Sequence, residues 1–253
     1  MAGRVTVFPD GARRASCRDW VPEAPVALEF NGLAYAVMMA TPDCLADFAI
    51  GFALTEGLVA RADQVTDLAI AEVEHGWIVR AMLAGLGIER LTDRVRTRVA
   101  ESSCGLCGIE NLAEVAKPLP PVAPHDAIAA AAIFAALADL PERQELNRRT
   151  GAAHAAAWCT AGGQIAELRE DVGRHNALDK LIGAMARTGR PLAGGFVLST
   201  ARCSYEIVEK AVKAGATTLV TVSLPTSLAA ERARAAGLSL WVLARDDSVT
   251  LVT

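Results

Sequence analysis

The stretch from Phe196 to Ala244 decides the fold class and reads FVLSTARCSYEIVEKAVKAGATTLVTVSLPTSLAAERARAAGLSLWVLA. Short runs of apolar and β-branched residues alternate with segments whose apolar residues recur at helical spacing. This pattern predicts strands over 196–200, 217–223 and 238–244, with helices over 204–214 and 227–236. Gly215 and Gly237 stand where helix C-caps are expected. Because strands and helices alternate with short links, we expect parallel strands joined by right-handed crossovers.

The residues before this stretch extend the same architecture. An alanine-rich helix is predicted over 126–140, and two strands over 155–160 and 164–169 are joined at Gly162-Gly163. A further helix contains Ala177, Leu178, Leu181, Ile182 and Met185 and is expected to stop near Gly189. The prediction is an α/β domain over residues 122–253.

Residues 1–121 have a different, β-rich character. One hairpin is predicted at Asn31-Gly32, because both residues tolerate the positive φ of a type I′ turn, and a second around His75-Gly76. Another strand is expected over 93–99. The prediction is a smaller α+β domain. The segment 117–124, with four prolines in eight residues, marks the boundary as a linker or rigid crossover.

One helix stands out in this first domain, with Leu45, Phe48, Ala49 and Phe52 on one face. We expect Thr41 to cap it, Pro42 to occupy its first helical position, and Gly57 to end it.

Composition excludes several classes of protein. The chain has 253 residues, is 52% hydrophobic and carries a formal net charge of −4, so no global basic field favours nucleic acid. The longest uncharged apolar run, 127–138, is too short to cross a bilayer, and the N-terminus lacks the apolar core of a secretory signal. A cytoplasmic protein with reduced cysteines is therefore expected, without membrane or nucleic-acid partners.

The segment Ser102-Ser-Cys-Gly-Leu-Cys-Gly108 is the sharpest local feature. Cys104 and Cys107 lie two residues apart among small residues, and a helix could start at Ile109. A helix N-terminus stabilises a thiolate and lowers its pKa. Four interpretations compete: half of a zinc site completed by Cys159 and Cys203, a dithiol–disulfide redox site, two unreactive thiols in a turn, or a sulfur relay through a persulfide.

Polar residues also crowd three predicted strand–helix junctions, around 169–180, 199–206 and 224–227. Strand carboxyl ends face the ligand crevice in parallel α/β sheets, so the three junctions are expected to converge there, with His154 nearby. Arg174, His175 and Asn176 are candidates for binding a phosphate or a heterocycle; the alternative is a solvated helix start with Asp179 and Lys180 on the surface. Capping accounts for Ser204, Thr226 or Ser227, and the helix dipole for Glu206, whereas Arg202 is the better anion-binding candidate.

Arginines alternate along the predicted strand over 93–99, at positions 94, 96 and 98. They share one side of that strand. A solvated sheet face is the favoured interpretation, and a docking surface for an acidic partner is the alternative.

With these residues in view, nearly the whole chain resembles the formate dehydrogenase accessory sulfurtransferase family (FdhD). Four segments support the resemblance: 41–57 (TPDCLADFAIGFALTEG), 102–108 (SSCGLCG), 170–183 (EDVGRHNALDKLIG) and 204–210 (SYEIVEK).

The resemblance implies a sulfur carrier that takes persulfide sulfur from a cysteine desulfurase and passes it to the molybdenum cofactor of formate dehydrogenase. It also implies a homodimer, a C-terminal αβα domain like that of cytidine deaminases, and binding of bis-molybdopterin guanine dinucleotide, with a guanine nucleotide as a mimic. By position, Cys104 matches the persulfide-bearing cysteine and Cys107 its companion. The family's cofactor-contacting segment falls on Leu243, Ala244, Arg245, Asp246, Asp247 and Ser248.

Two departures and two rival functions follow from the same residues. Leu243 stands where the family usually has an aromatic residue, and the acids at 246 and 247 would repel a diphosphate unless Arg245 compensates. A zinc deaminase is rejected, because the chain has no His-x-Glu and Ser103 rather than proline precedes Cys104. A non-catalytic chaperone for the molybdenum cofactor remains as the alternative.

Overall fold

The computed structural model describes residues 5–15, 18–87, 89, 91–92 and 117–252. A short antiparallel pair, β1 (Val5–Val7) and β2 (Arg13–Ala15), comes first. A four-stranded sheet follows, built from β3 (Ala24–Phe30), β4 (Leu33–Ala40), β5 (Val65–Val73) and β6 (Gly76–Leu83) in the order β4-β3-β6-β5. Both predicted hairpins are confirmed, and Asn31 and Gly32 have φ of 51° and 78° in the first of them.

Helix α1 (Leu45–Thr55) covers one face of this sheet. Phe48 and Phe52 are buried against Phe30 and Val79 from the strands. The helix ends near Gly57 as predicted, but the prediction of its start is wrong: Cys44, not Thr41, is the N-cap, and Pro42 lies before the helix. Thr41 is unavailable as a cap because its backbone and hydroxyl bind residues of the second half of the chain.

The second sheet has six strands in the order β12-β11-β10-β9-β7-β8. They are β7 (His154–Thr160), β8 (Ile165–Asp171), β9 (Gly195–Ser199), β10 (Thr218–Thr221), β11 (Ser239–Val242) and β12 (Thr250–Val252). Strands β9, β10 and β11 are parallel, as predicted. Strand β7 is antiparallel to both β8 and β9, because the tight turn through Gly163 joins β7 and β8 as a hairpin. Strand β12 was not predicted and pairs antiparallel with β11.

Helices lie on both faces of this sheet. They are α2 (Ala130–Arg143), α3 (Glu145–Thr150), α4 (Arg174–Arg187), α5 (Tyr205–Lys213) and α6 (Ser227–Ala236). Residues of α2 pack with Phe196 and Leu198 on one face, while α4, α5 and α6 pack with Val197 and Leu219 on the other. The αβα layering of the α/β class is therefore confirmed. The first helix of this half begins four residues later than predicted.

Helix α1 packs directly on α4, so the two halves of the chain share an extensive contact. The proposed domain boundary at residue 121 stays a prediction. No helix in the described part of the chain is long and apolar enough to cross a membrane.

Candidate functional site

A small crevice of about 190 Å³ opens where α4, α5 and α6 begin. It lies beside the carboxyl ends of β9 and β10, the edge at which α/β sheets bind ligands. The residues that line it come from all three predicted junctions: Arg174, Arg202, Cys203, Ser204, Leu224, Pro225 and Thr226. The predicted convergence is confirmed.

The crevice offers hydrogen-bond donors next to positive charge. Arg174 and Arg202 both line it, and Arg202 is exposed. Within the described residues, Nε of Arg174 and Oγ of Ser204 are buried and have no hydrogen-bond partner. Ser204 is the N-cap of α5 but makes no side-chain capping bond, whereas Thr226 caps α6 by accepting from the Ala229 amide at 3.2 Å. Because buried polar groups are normally satisfied, these two atoms point to an anionic ligand such as phosphate.

Two histidines lie beside this positive charge. Nε2 of His175 is 3.0 Å from Oε2 of Glu206, and the contact holds the pKa of Glu206 below its ordinary value. Glu206 thus does more than complement the α5 dipole. The pKa of His154 is lowered, chiefly by burial and then by Arg174 and other nearby charges. His154 is thus close enough to Arg174 and Arg202 to respond to their charge, and its lowered pKa favours the uncharged form.

His154 predicts a pH dependence of stability. Because its folded-state pKa lies below its unfolded value, the unfolded chain binds the extra proton first as pH falls. Stability should decline as pH drops below about 6.5, the ordinary histidine pKa. We expect the urea midpoint to fall less between pH 7.5 and pH 5.5 in His154→Gln than in the wild type. Equal shifts in the two proteins would contradict the prediction.

Like His175, Asn176 is not among the residues that line the crevice, although both were predicted to contact the ligand with Arg174. The side chain of Asn176 is buried, and Nδ2 donates to the Met39 carbonyl at 2.8 Å and to Oδ1 of Asp171 at 3.0 Å. The structure thus gives Asn176 a role in joining the two halves of the chain. A ligand contact by this residue stays a prediction that the geometry does not favour.

The surface placement of Asp179 and Lys180 is wrong, because both side chains are buried. Nζ of Lys180 lies 2.7 Å from Oδ2 of Asp171 and 2.6 Å from Oδ1 of Asp43. Asp179 is paired with Lys210 at 2.9 Å. These charges are covered because α1 and the loop before it lie against α4. The opposite charges of Asp43 for Lys180 and of Lys210 for Asp179 were the available signal.

The segment Leu243–Ser248 follows β11 at the same edge of the sheet. Leu243 has a φ of 49°, and the buried Ala244 donates its amide to the Thr221 carbonyl at 3.1 Å. The amide of Arg245 donates to the Ser248 carbonyl at 2.8 Å, and the side chains of Arg245, Asp246, Asp247 and Ser248 are exposed. None of these residues lines the crevice, so their contact with a cofactor stays a prediction.

Cys104 and Cys107 lie outside the described residues, as does the predicted strand with its three arginines. In the part that is described, Cys44, Cys159 and Cys203 are unpaired thiols. Burial raises the pKa of Cys159 to about 12 and that of Cys203 to about 11, so neither is suited to nucleophilic attack. No group of three or more potential metal ligands comes together among the described residues.

An αβα sheet with an arginine-lined crevice at its carboxyl edge defines an α/β protein suited to an anionic ligand. The sequence profile of the FdhD/NarQ family matches residues 21–253. The chain belongs to the FdhD/NarQ family.

Relatives agree with this assignment, and a solved structure has a similar fold. The sulfur carrier protein FdhD of Variovorax paradoxus is 46% identical over 237 residues, which are 93% of this chain and 85% of the relative. The protein of the same name from Cupriavidus necator is 48% identical over 218 residues, which are 86% of this chain and 76% of the relative. A crystal structure of a candidate formate dehydrogenase accessory protein from Desulfotalea psychrophila has a TM-score of 0.76 at 21% identity, covering 100% of this chain and 96% of the other. The last comparison shows a shared fold.

Proposed function

We propose that this chain is a sulfurtransferase that accepts persulfide sulfur from a cysteine desulfurase on Cys104. It delivers that sulfur to the molybdenum of bis-molybdopterin guanine dinucleotide, the cofactor of formate dehydrogenase. The observation that carries the proposal is the 46–48% identity to proteins named sulfur carriers, in a chain that has a Cys-x-x-Cys segment. The proposed setting is the cytoplasm, with the carrier acting as a homodimer.

Sulfur enters by transfer from a persulfide to a thiolate. The Cys104 thiolate attacks the outer sulfur of the desulfurase persulfide, a new S–S bond forms on Cys104, and the desulfurase thiolate leaves. Cys107 assists the second transfer either by hydrogen bonding or by resolution. In resolution, the Cys107 thiolate attacks the inner sulfur, a Cys104–Cys107 disulfide forms, and the outer sulfur leaves with the bonding electrons for the metal.

The crevice supports the binding half of the proposal. Its volume of about 190 Å³ is below the range of whole-ligand pockets and suits the diphosphate group of the dinucleotide. Arg174 and Arg202 would neutralise the diphosphate, and His175 would lie beside it. The exposed residues 245–248, at the same sheet edge, are the candidates for contacting the remainder of the cofactor.

The carrier role is tested by mass spectrometry. The intact protein, incubated with a cysteine desulfurase and cysteine, should gain the mass of one sulfur atom, and a reductant should remove it. Peptide mapping should place that sulfur on Cys104. The Cys104→Ala protein should not show this gain in mass. A chaperone that only binds the cofactor, the alternative function, would gain no sulfur in either protein.

Removing the crevice charges is expected to weaken nucleotide binding. Hydrogen bonds to charged groups contribute about 1.5–3 kcal/mol each, so Arg174→Gln and Arg202→Gln should each raise the Kd for guanosine diphosphate roughly tenfold or more. Arg148→Gln, which breaks an exposed ion pair with Glu142, is the control and should bind normally. Isothermal titration calorimetry measures all three. If the double variant with both arginines replaced binds guanosine diphosphate as tightly as the wild type, these arginines have no binding role.

A further inference from the structure

Asp171 is the centre of a buried network next to the turn that precedes Arg174. Its side chain is fully buried at the end of β8, three residues before Arg174. Oδ1 accepts from the amide of Gly173 at 2.7 Å and from Nδ2 of Asn176 at 3.0 Å. Oδ2 accepts from the Thr41 amide at 3.1 Å and pairs with Nζ of Lys180. Both carboxylate oxygens are thus fully used by donors from three parts of the chain.

The network fixes the turn from which Arg174 enters the crevice. The Val172 amide donates to Oγ1 of Thr41 at 3.1 Å, so the backbone of residues 172 and 173 is held from both sides. Gly173 permits the close approach, since a Cβ there would lie 2.6 Å from Nδ2 of Asn176. Lys180 anchors the same helix further along by donating to the Thr41 carbonyl at 2.9 Å.

Holding Arg174 beside Arg202 costs free energy, because two like charges share a small crevice. A flexible turn would let Arg174 move away from Arg202 into solvent. The donors that bind both oxygens of the buried Asp171 carboxylate hold this turn in place. Arg174 therefore loses that freedom before a ligand arrives. Preorganisation of this kind lowers the entropic cost of binding.

We propose that Asp171, supported by Thr41 and Lys180, is a positioning residue that presents Arg174 to the anionic ligand of the crevice. The inference rests on the proposed binding of such a ligand. No residue of segment 41–43, in the first half of the chain, lines the crevice. In this proposal the segment nevertheless helps to form the site. Asp171 itself does not touch the ligand in this proposal.

A second buried network on the same helix provides a matched control. Oδ1 of Asp179 accepts from Oγ1 of Thr55 at 2.8 Å, and Oδ2 pairs with Lys210. Thr55, like Thr41, is a buried threonine from the first half of the chain that bonds to the second half. Neither Asp179 nor Thr55 lines the crevice or contacts the turn at 172–173. Each network thus contains a buried aspartate, a lysine paired with it and a buried threonine, and only the first network bonds to the turn before Arg174.

The experiment compares Thr41→Val with Thr55→Val and Asp171→Asn with Asp179→Asn by calorimetric titration with guanosine diphosphate. We expect Thr41→Val to raise Kd about threefold and Asp171→Asn about tenfold or more, with unchanged stoichiometry. Both control variants should stay within about twofold of the wild type. Loss of folded protein would lower the stoichiometry instead, which separates positioning from stability. If an aspartate variant does not fold, the comparison of Thr41→Val with Thr55→Val still tests the proposal.

Equal effects in the two networks, or unchanged Kd in Thr41→Val and Asp171→Asn, would overturn the inference. A wild-type protein that binds neither guanosine diphosphate nor inorganic pyrophosphate would overturn it as well, because the crevice would then have no anion to position. The proposed sulfur transfer is judged separately by the sulfur gained on Cys104. Each idea can therefore fail while the other survives.

Discussion

Cells whose only copy of this chain carries Cys104→Ala are expected to contain inactive formate dehydrogenase. Alanine has no thiol to accept the sulfane sulfur, and neither buried cysteine can replace it, because burial raises the pKa of Cys159 and of Cys203. Activity should fall to the level of cells that lack the carrier. The measurement is formate oxidation in cell extracts, normalised to the amount of dehydrogenase protein.

Cys44→Ser is the matched control for this loss. Cys44 is an exposed thiol at the N-cap of α1, where a helix dipole alone would favour the thiolate. Its pKa is nevertheless raised, first by partial burial and then by the neighbouring Asp43. We expect full activity from Cys44→Ser. Full activity from Cys104→Ala would instead exclude the persulfide route and leave the cofactor chaperone as the function.

The predicted elements that the structure confirms depend on local sequence. Asn31-Gly32 specifies its hairpin through two residues that tolerate positive φ, and the Thr226 cap forms within one helical turn. The convergence of three junctions also followed from topology, since parallel strands place their carboxyl ends at one edge of a sheet. The direction of β7 follows from the local turn at Gly163, whereas its place beside β9 depends on residues that are far apart in sequence.

The errors at the candidate site come from the same limit. Lys180 and Asp179 lie in the second turn of a helix, where charged side chains are usually solvated. The burial of Lys180 depends on Asp171 and Thr41. The burial of Asp179 depends on Lys210 and Thr55. Periodicity alone carries no information about Thr41 and Thr55, which are more than 100 residues away from these partners. The segments that carry the family resemblance, 41–57 and 170–183, are therefore in large part the two sides of one buried contact between helices.

The contact between α1 and α4 predicts the second large effect, a loss of stability in Gly51→Ala. A Cβ at Gly51 would lie 1.7 Å from the backbone oxygen of Asp179, and one at Gly183 would lie 1.8 Å from that of Asp47. Because the clashing atoms are helix backbone, no side-chain rotation relieves them, and α1 must move away from α4. The movement also strains the partly buried pair between Asp47 and Arg169, 2.8 Å apart.

We expect Gly51→Ala to cost about 3 kcal/mol or more, at or beyond the upper end of ordinary overpacking. In a chain of this size that lowers Tm by roughly 10 °C, and Gly183→Ala should behave in the same way. Gly162→Ala in the β7–β8 turn is the control, because its nearest atom, Oγ1 of Thr160, is 3.9 Å away. Differential scanning calorimetry of the three variants gives the comparison. A Gly51→Ala protein that melts with the control would mean that α1 and α4 do not approach at this glycine pair, and the buried networks on either side of it would lose their structural basis.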